Sequence, residues 1–390
     1  MKSSINIADF RCDNCGSGDL SIAYNVPNSL RNLNVYVCKH CSLSQSLPRI
    51  DHVADRPKRV SSGAAWGNIR YGKAFITNKS IDILEKFIDL KRNLHFIDIG
   101  SNRGSLINAL YQKYPNLNIT AVEPDKRVIN DYENNPNLEC IFDRVENINF
   151  NDKSFDVVYS AHTIEHLKSP KKILGNIRKW VKDNAVCYFE VPNLLSINQD
   201  NLIEEFFIDK HLYHYSLTSF IDLIESSGFD IFENGVFTDN DNLRVVCKPS
   251  KKIKNNKFNR QDEAQKIHNL HIKYAEKLKS NIEKLKKVAI NISSICKDRK
   301  VVFWGAGRIF DSIVVNGGFD TSLLHGLVDK NLPNFIEEMH GKRVLFTSEI
   351  KNLAPEVIII ASRAYAKEII SEINELNLDV EILSFDKLIA

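Results

Sequence analysis

Long apolar runs are missing from this 390-residue chain. Nowhere do about 18 apolar residues follow one another, so no segment reads as a membrane-spanning helix. The opening MKSSINIADFRCDNC lacks the apolar stretch of a secretion signal, and the expectation is a soluble, cytoplasmic protein. An excess of one charge is missing too. There are 52 Lys and Arg against 49 Asp and Glu, a net charge of +3 spread along the chain. That gives no electrostatic footprint for nucleic acid. Apolar residues make up 43%, enough for buried cores, and the length suggests two or three domains.

The eight cysteines fall into two classes. Cys12 and Cys15 form CDNC, Cys38 and Cys41 form CKHC, and 22 residues separate the pairs. Two such knuckles suit a tetrahedral Zn2+ held by four thiolates. Two disulfides are the alternative, but no secretion signal provides an oxidising compartment. Four thiolates leave no open position, so this zinc is expected to be structural. Cys140, Cys187, Cys247 and Cys296 sit in apolar runs and read as buried small hydrophobes.

Four regions follow: a zinc ribbon over 1–55, an α/β domain over 56–250, a helical linker over 251–298 and a second, smaller α/β domain over 299–390. In the first α/β region, strand-like runs (LHFIDIG, NITAVEP, FDVVYSA, AVCYFEVP, NLRVVCKP) alternate with helical patterns, which predicts a largely parallel sheet. After the basic stretch KKIKNNKFNRQ comes a segment without Gly or Pro. In it Ile267, Leu270, Tyr274, Leu278, Ile282, Leu285, Val288, Ile292 and Ile295 recur three or four apart. This predicts an amphipathic helix that serves either as a homo-oligomer seam or as a brace along its own chain. The last region alternates again through KVVFWGAG, LLHGLVD, EVIIIAS and VEILSF.

The stretch FIDIGSNRGSLINAL carries the chemistry. A strand ends in Asp98-x-Gly100-x-x-x-Gly104, with Asn102 in the turn, and a helix follows. The spacing is not that of a dinucleotide fingerprint, and a carboxylate beside the loop would repel a pyrophosphate. It suits a ligand with an ammonium and a sulfonium, such as S-adenosylmethionine. Glu123 ends the next strand, where a carboxylate can accept from both ribose hydroxyls, and Pro124 then turns the chain. A fourth strand ends at SAHTIEHL.

At these motifs the sequence resembles the class I S-adenosylmethionine-dependent methyltransferases, in IDIGSNRG, in Glu123 and in Phe155–Leu167. The resemblance implies a Rossmann-like core. It also implies that Asp143, Arg144 and Val145 flank the adenine, that Ala161 and His162 lie near the methionine end, and that Arg70 and Tyr71 of WGNIRYGK cover the cofactor. With the ribbon before it and FWGAG, GLVDKN and PEVIIIAS after it, the whole resembles the three-domain sugar C-methyltransferases. That likeness implies a small-molecule acceptor, a nucleotide-linked sugar, with Gly305, Gly307, Asp329, Ser362 and Arg363 helping to hold it. Phe310 stands where a third glycine would. The family's His-Glu-His is here Asp209-Lys210-His211, a departure that puts carbon as the acceptor atom in question.

His211 and His214, in the loop after the Val-Pro-Asn turn, are the leading candidate bases, and His162 could touch either substrate. Tyr213 and Tyr215 could bond a sugar carbonyl or simply pack. Two other functions stay open: a methyltransferase acting on RNA or protein through the ribbon, and a non-catalytic assembly protein.

Overall fold

The computed structural model describes residues 10–27, 29, 32–49, 73–132, 134–200, 202–208, 210–251, 259–334, 336–363 and 365–389. Contacts divide the chain into two compact units. The first is built from the described residues within 10–49, 73–198 and 207–273, and the second from those within 199–206 and 274–389.

The first unit begins with β1 (Leu20–Asn25), β2 (Asn34–Cys38) and β3 (Ser44–Leu47), an antiparallel ribbon. Next come α1 (Lys73–Leu84), β4 (His95–Ile99), α2 (Ser105–Lys113), β5 (Asn118–Val122), β6 (Leu138–Ile141), β7 (Phe155–Ala161) and α3 (Pro170–Trp180). The unit closes with β8 (Val181–Pro192), β9 (Tyr213–His214), α4 (Leu217–Ser226), β10 (Phe229–Thr238) and β11 (Asn242–Pro249). The main sheet has the order β10-β11-β8-β7-β4-β5-β6. All its strands run parallel except β11, which is antiparallel to both neighbours.

Burial explains this arrangement. Phe96 to Ile99 are buried without alternation, as a strand covered on both faces must be. On α2, Leu106, Ile107, Leu110 and Tyr111 are buried at helical spacing. Helix α3 starts with Pro170 in its first turn and the Ser169 hydroxyl accepting from Lys172 N. A Ser216–Ser219 capping box starts α4.

The ribbon is not a free-standing domain. β3 pairs with β9, Ser44 facing His214 and Gln45 facing Tyr213. Cys12, Cys38, Cys41 and Leu43 belong to one apolar cluster with Ile97, Phe189 and Leu212 of the main sheet and its loops. The expected boundary at residue 55 lies outside the described residues.

Helix α5 (Gln261–Asp298) is one continuous 38-residue helix. Its stripe is buried within the chain at Ile267, His271, Tyr274, Leu278, Leu285, Val288 and Ile292, while Ile272 and Ile290 face outward. Within the first unit His271 stacks on Phe207, and within the second Leu285, Val288 and Ile292 belong to the core.

The second unit holds β12 (Val301–Trp304), α6 (Arg308–Val315), β13 (Gly326–Asp329), β14 (Glu338–Met339), β15 (Lys342–Arg343) and β16 (Leu345–Phe346). It continues with α7 (Ile350–Leu353), β17 (Val357–Ile360), α8 (Ala366–Glu375), β18 (Glu381–Ser384) and α9 (Phe385–Ile389). Its parallel sheet has the order β16-β13-β12-β17-β18. The expected fold class, two α/β units of which the second is smaller, matches what the structure contains. No helix among the described residues is long and apolar enough to cross a membrane.

Candidate active site

From β4 the chain crosses to β5 on one side, and β7 lies on the other. The carboxyl ends of these strands open the crevice where α/β sheets bind ligands. The loop after β4 is drawn tight across it. Gly100 N and Ser101 N donate to Val122 O at 2.8 and 3.2 Å, and Gly104 N donates to Ser101 O at 2.9 Å. Gly100 has φ +82°, and a Cβ there would lie 1.9 Å from Thr163 Oγ1. Asn102 also adopts a positive φ, of 50°. Gly104 has φ +68° and backs onto the Tyr132 ring. Only glycine combines that backbone with that proximity.

Two carboxylates guard the loop. Glu123 holds it from β5: its Oε2 accepts from Asn102 N and its Oε1 from Asp125 N, both at 2.9 Å. Asp98 is buried, and its carboxyl is pushed up to about 8, by burial first and by the Glu123 charge second. Among the described residues no cation pairs with it, and a bound ammonium would supply one. Asp143, after β6, is exposed and accepts from Arg144 N and Asn147 Nδ2. Pro124 follows Glu123 on the exposed rim, and Ala161 ends β7 half-buried.

At the end of β7, His162 takes φ 52° and its N–H donates to Glu190 O. Its ring lies between two buried carboxylates, Nδ1 at 3.7 Å from Glu165 Oε1 and Nε2 at 3.5 Å from Glu190 Oε1. Burial works to strip its proton, but Glu165 and Glu190 outweigh it and push the imidazole up to about 9. At neutral pH His162 is therefore a cationic donor. Glu190 is held in turn by Arg244, its cross-strand partner, at 3.1 Å and by Tyr188 OH at 2.7 Å.

The remaining histidines separate. His214 is buried, with Nε2 2.7 Å from Ser46 Oγ and its ring edge-on to Phe207. Burial drives it down to about 3. It fastens β9 to the ribbon and is not presented to the crevice. His211 is only half-buried and lies ring to ring with His166 at 4.7 Å. Burial, helped by His166 and His214, keeps it well below the ordinary imidazole value, hence neutral. Tyr213 and Tyr215 are packed in the interior, Tyr213 donating to Lys168 O. Arg70, Tyr71 and Asp209 lie outside the described residues.

Sequence reasoning passed over Glu190 and Arg244. The signal was present: a single charge inside each of two apolar strand runs, YFEVP and NLRVV, which implies a buried pair.

The four cysteine sulfurs converge. Cys12 and Cys41 Sγ, like Cys15 and Cys38 Sγ, are 3.5 Å apart, and all four lie within 4.8 Å. Tetrahedral Zn–S bonds set sulfurs about 3.8 Å apart, so the group fits a zinc ion and no sulfur pair is at disulfide length.

In the second unit, Gly305 takes φ +105° beside Ala361. Asp329 is occupied by its own loop, accepting from Ala306, Asn331 and Leu332 N at 3.0–3.1 Å. Arg363 pairs with Asp386, and Phe310 is a core residue.

Comparison with known proteins agrees with the crevice. The family described as a methyltransferase domain matches residues 73–234. This stretch is a class I S-adenosylmethionine-dependent methyltransferase domain. A second family, described as C2185-like, N-terminal, matches residues 297–382. The (S)-tetrahydroprotoberberine N-methyltransferase of Eschscholzia californica is 25% identical over 100 residues, 24% of this chain. The match spans 28% of that relative's length. Among solved structures, a SAM-dependent methyltransferase from Aquifex aeolicus has TM-score 0.35 at 15% identity, covering 46% of this chain and 98% of that one. The Burkholderia thailandensis 1,6-didemethyltoxoflavin-N1-methyltransferase has TM-score 0.38 at 11% identity, covering 53% and 96%. The methyltransferase domain thus includes the glycine loop, Glu123, His162 and His211, and leaves the cysteine ribbon outside it.

Proposed function

We propose that the protein transfers a methyl group from S-adenosylmethionine to a hydroxyl oxygen of a nucleotide-linked sugar, with one structural zinc in its cysteine ribbon. The observation that carries the cofactor is the buried Asp98 carboxyl beneath a loop tied down by Glu123. S-adenosylmethionine supplies an electrophilic methyl on a sulfonium. Asp98 would meet its ammonium and Glu123 its ribose hydroxyls. His162, fixed between Glu165 and Glu190, stands at the methionine end as a hydrogen-bond donor.

In the displacement the methyl–sulfur bond breaks, its electron pair stays on sulfur, and the acceptor oxygen forms the new bond as its proton leaves. Much of the acceleration comes from alignment. The proton passes to solvent water on the side lined by His166 and His211, both half-exposed. The sugar acceptor is supported by the order of parts, a ribbon, the methyltransferase domain and a second α/β unit. Lys210, where a sugar C-methyltransferase carries Glu, favours oxygen over carbon.

The test is incubation with methyl-labelled S-adenosylmethionine and a panel of ordinary and keto nucleotide sugars. Label on a sugar oxygen is expected. Label entering only RNA or protein, or cofactor binding without turnover on any sugar, overturns the reading.

A further inference from the structure

Glu165 is 1% exposed, and neither carboxylate oxygen has a hydrogen-bond partner among the described residues. A buried carboxylate left in that state costs several kcal/mol unless another group neutralises it. The His162 cation offsets part of that cost as an ion pair at 3.7 Å from Oε1, but it lies outside hydrogen-bond range and leaves both oxygens without a donor. The same oxygen faces His166 Nε2, also at 3.7 Å. His166 Nδ1 lies 2.8 Å from the Lys210 carbonyl. A carbonyl can only accept, so Nδ1 carries the proton and Nε2 turns its lone pair toward Glu165. This is how proteins preset an imidazole as a metal ligand. His211 completes the group: the three ligand atoms lie within 4.8 Å of one another.

We propose that Glu165, His166 and His211 form a second metal site, distinct from the cysteine ribbon, for a divalent cation of the Zn2+ class. Two imidazoles and one carboxylate match that class. Tetrahedral bonds would set the ligand atoms about 3.3 Å apart, so the Glu165–His166 pair is almost in place and His211 needs only a side-chain adjustment. His166 and His211 are half-exposed, which leaves the remaining coordination positions open to the crevice. A cation there would take the acceptor's hydroxyl oxygen, make its proton more acidic and release it to solvent water. This last role rests on the methyl-transfer reading; the site itself does not.

The test is a Co2+ titration of full-length protein already holding one zinc per chain, followed by visible absorption. One further Co2+ is expected, with ligand-field bands and no thiolate charge-transfer band. Glu165→Gln and His211→Asn should each weaken it by at least about tenfold with the ribbon zinc retained, while Lys210→Gln should still bind Co2+. Absence of the second equivalent, unchanged binding in His211→Asn, or a spectrum showing only thiolate ligation overturns the site. Calorimetry with S-adenosylmethionine on the same samples separates the two claims. Cofactor binding with no second Co2+ bound removes the metal site and spares the methyl-transfer reading; a second Co2+ bound with no turnover on any sugar spares the metal site and removes the sugar acceptor.

Discussion

Protons should leave the protein when S-adenosylmethionine arrives, and Asp98 is where they come from. With its carboxyl at about 8, only about 1% is ionised at pH 6 and about 9% at pH 7. The cofactor's α-amino group, with an ordinary pKa of about 7.7–8.0, stays mostly protonated over that range. If the ammonium pairs only with the ionised carboxylate, affinity should rise about ninefold from pH 6 to pH 7, about 1.3 kcal/mol. At pH 7 binding should release about 0.9 proton from this group. Calorimetry in two buffers of different ionisation enthalpy measures both quantities. Asp98→Asn should bind more weakly at pH 8, lose the steep rise and release almost no proton. A flat profile for the unaltered protein between pH 6 and 7, with a proton count near zero, refutes the reasoning.

The same shift acts on folding. A carboxyl raised from 3.8 to about 8 gives stability that is complete below pH 3.8 and lost as pH rises through 8. The ligand-free protein should therefore melt lower at pH 8 than at pH 5, with a smaller difference in Asp98→Asn. Gly100→Ala would force a Cβ to 1.9 Å from Thr163 Oγ1 at φ +82°; a loss of at least about 2 kcal/mol in denaturant midpoint and abolished cofactor binding are expected. Arg244→Met leaves Glu190 buried without its cation and should cost about 3–5 kcal/mol by urea titration. His211→Gln should cut kcat while cofactor affinity measured by calorimetry stays within about twofold, since His211 touches neither Asp98 nor the glycine loop.

What could be read from the chain depended on range. The Asp98–Gly104 turn, the Glu123 acid and the paired cysteines are local spacings, and each is where the pattern put it. Strand β10 was missed because its pairing breaks between Ile231 and Val236, around Asn234 and Gly235, into two three-residue segments too short to show a pattern. His214 looked like a base because it lies in an acceptor-side loop. Its partner, Ser46, is 168 residues away, and no spacing announces such a pair. The charge of His162 was equally out of reach, because Glu190 arrives from another strand and helps to raise it. In the second unit, Asp329 imitates a ribose acid in sequence, yet three amides of its own loop take its oxygens.

The pairing of β3 with β9 has a consequence for how the protein would fail. His211 sits just upstream of a two-residue strand moored to the cysteine ribbon by Ser44, Gln45 and the Ser46–His214 contact, and Ser46 N also reaches Leu212 O. The cofactor loop hangs instead from β4 and β5, strands the ribbon does not pair with. Oxidising the cysteine thiols would first slacken the anchorage of His211 and leave the strands that carry the glycine loop in place.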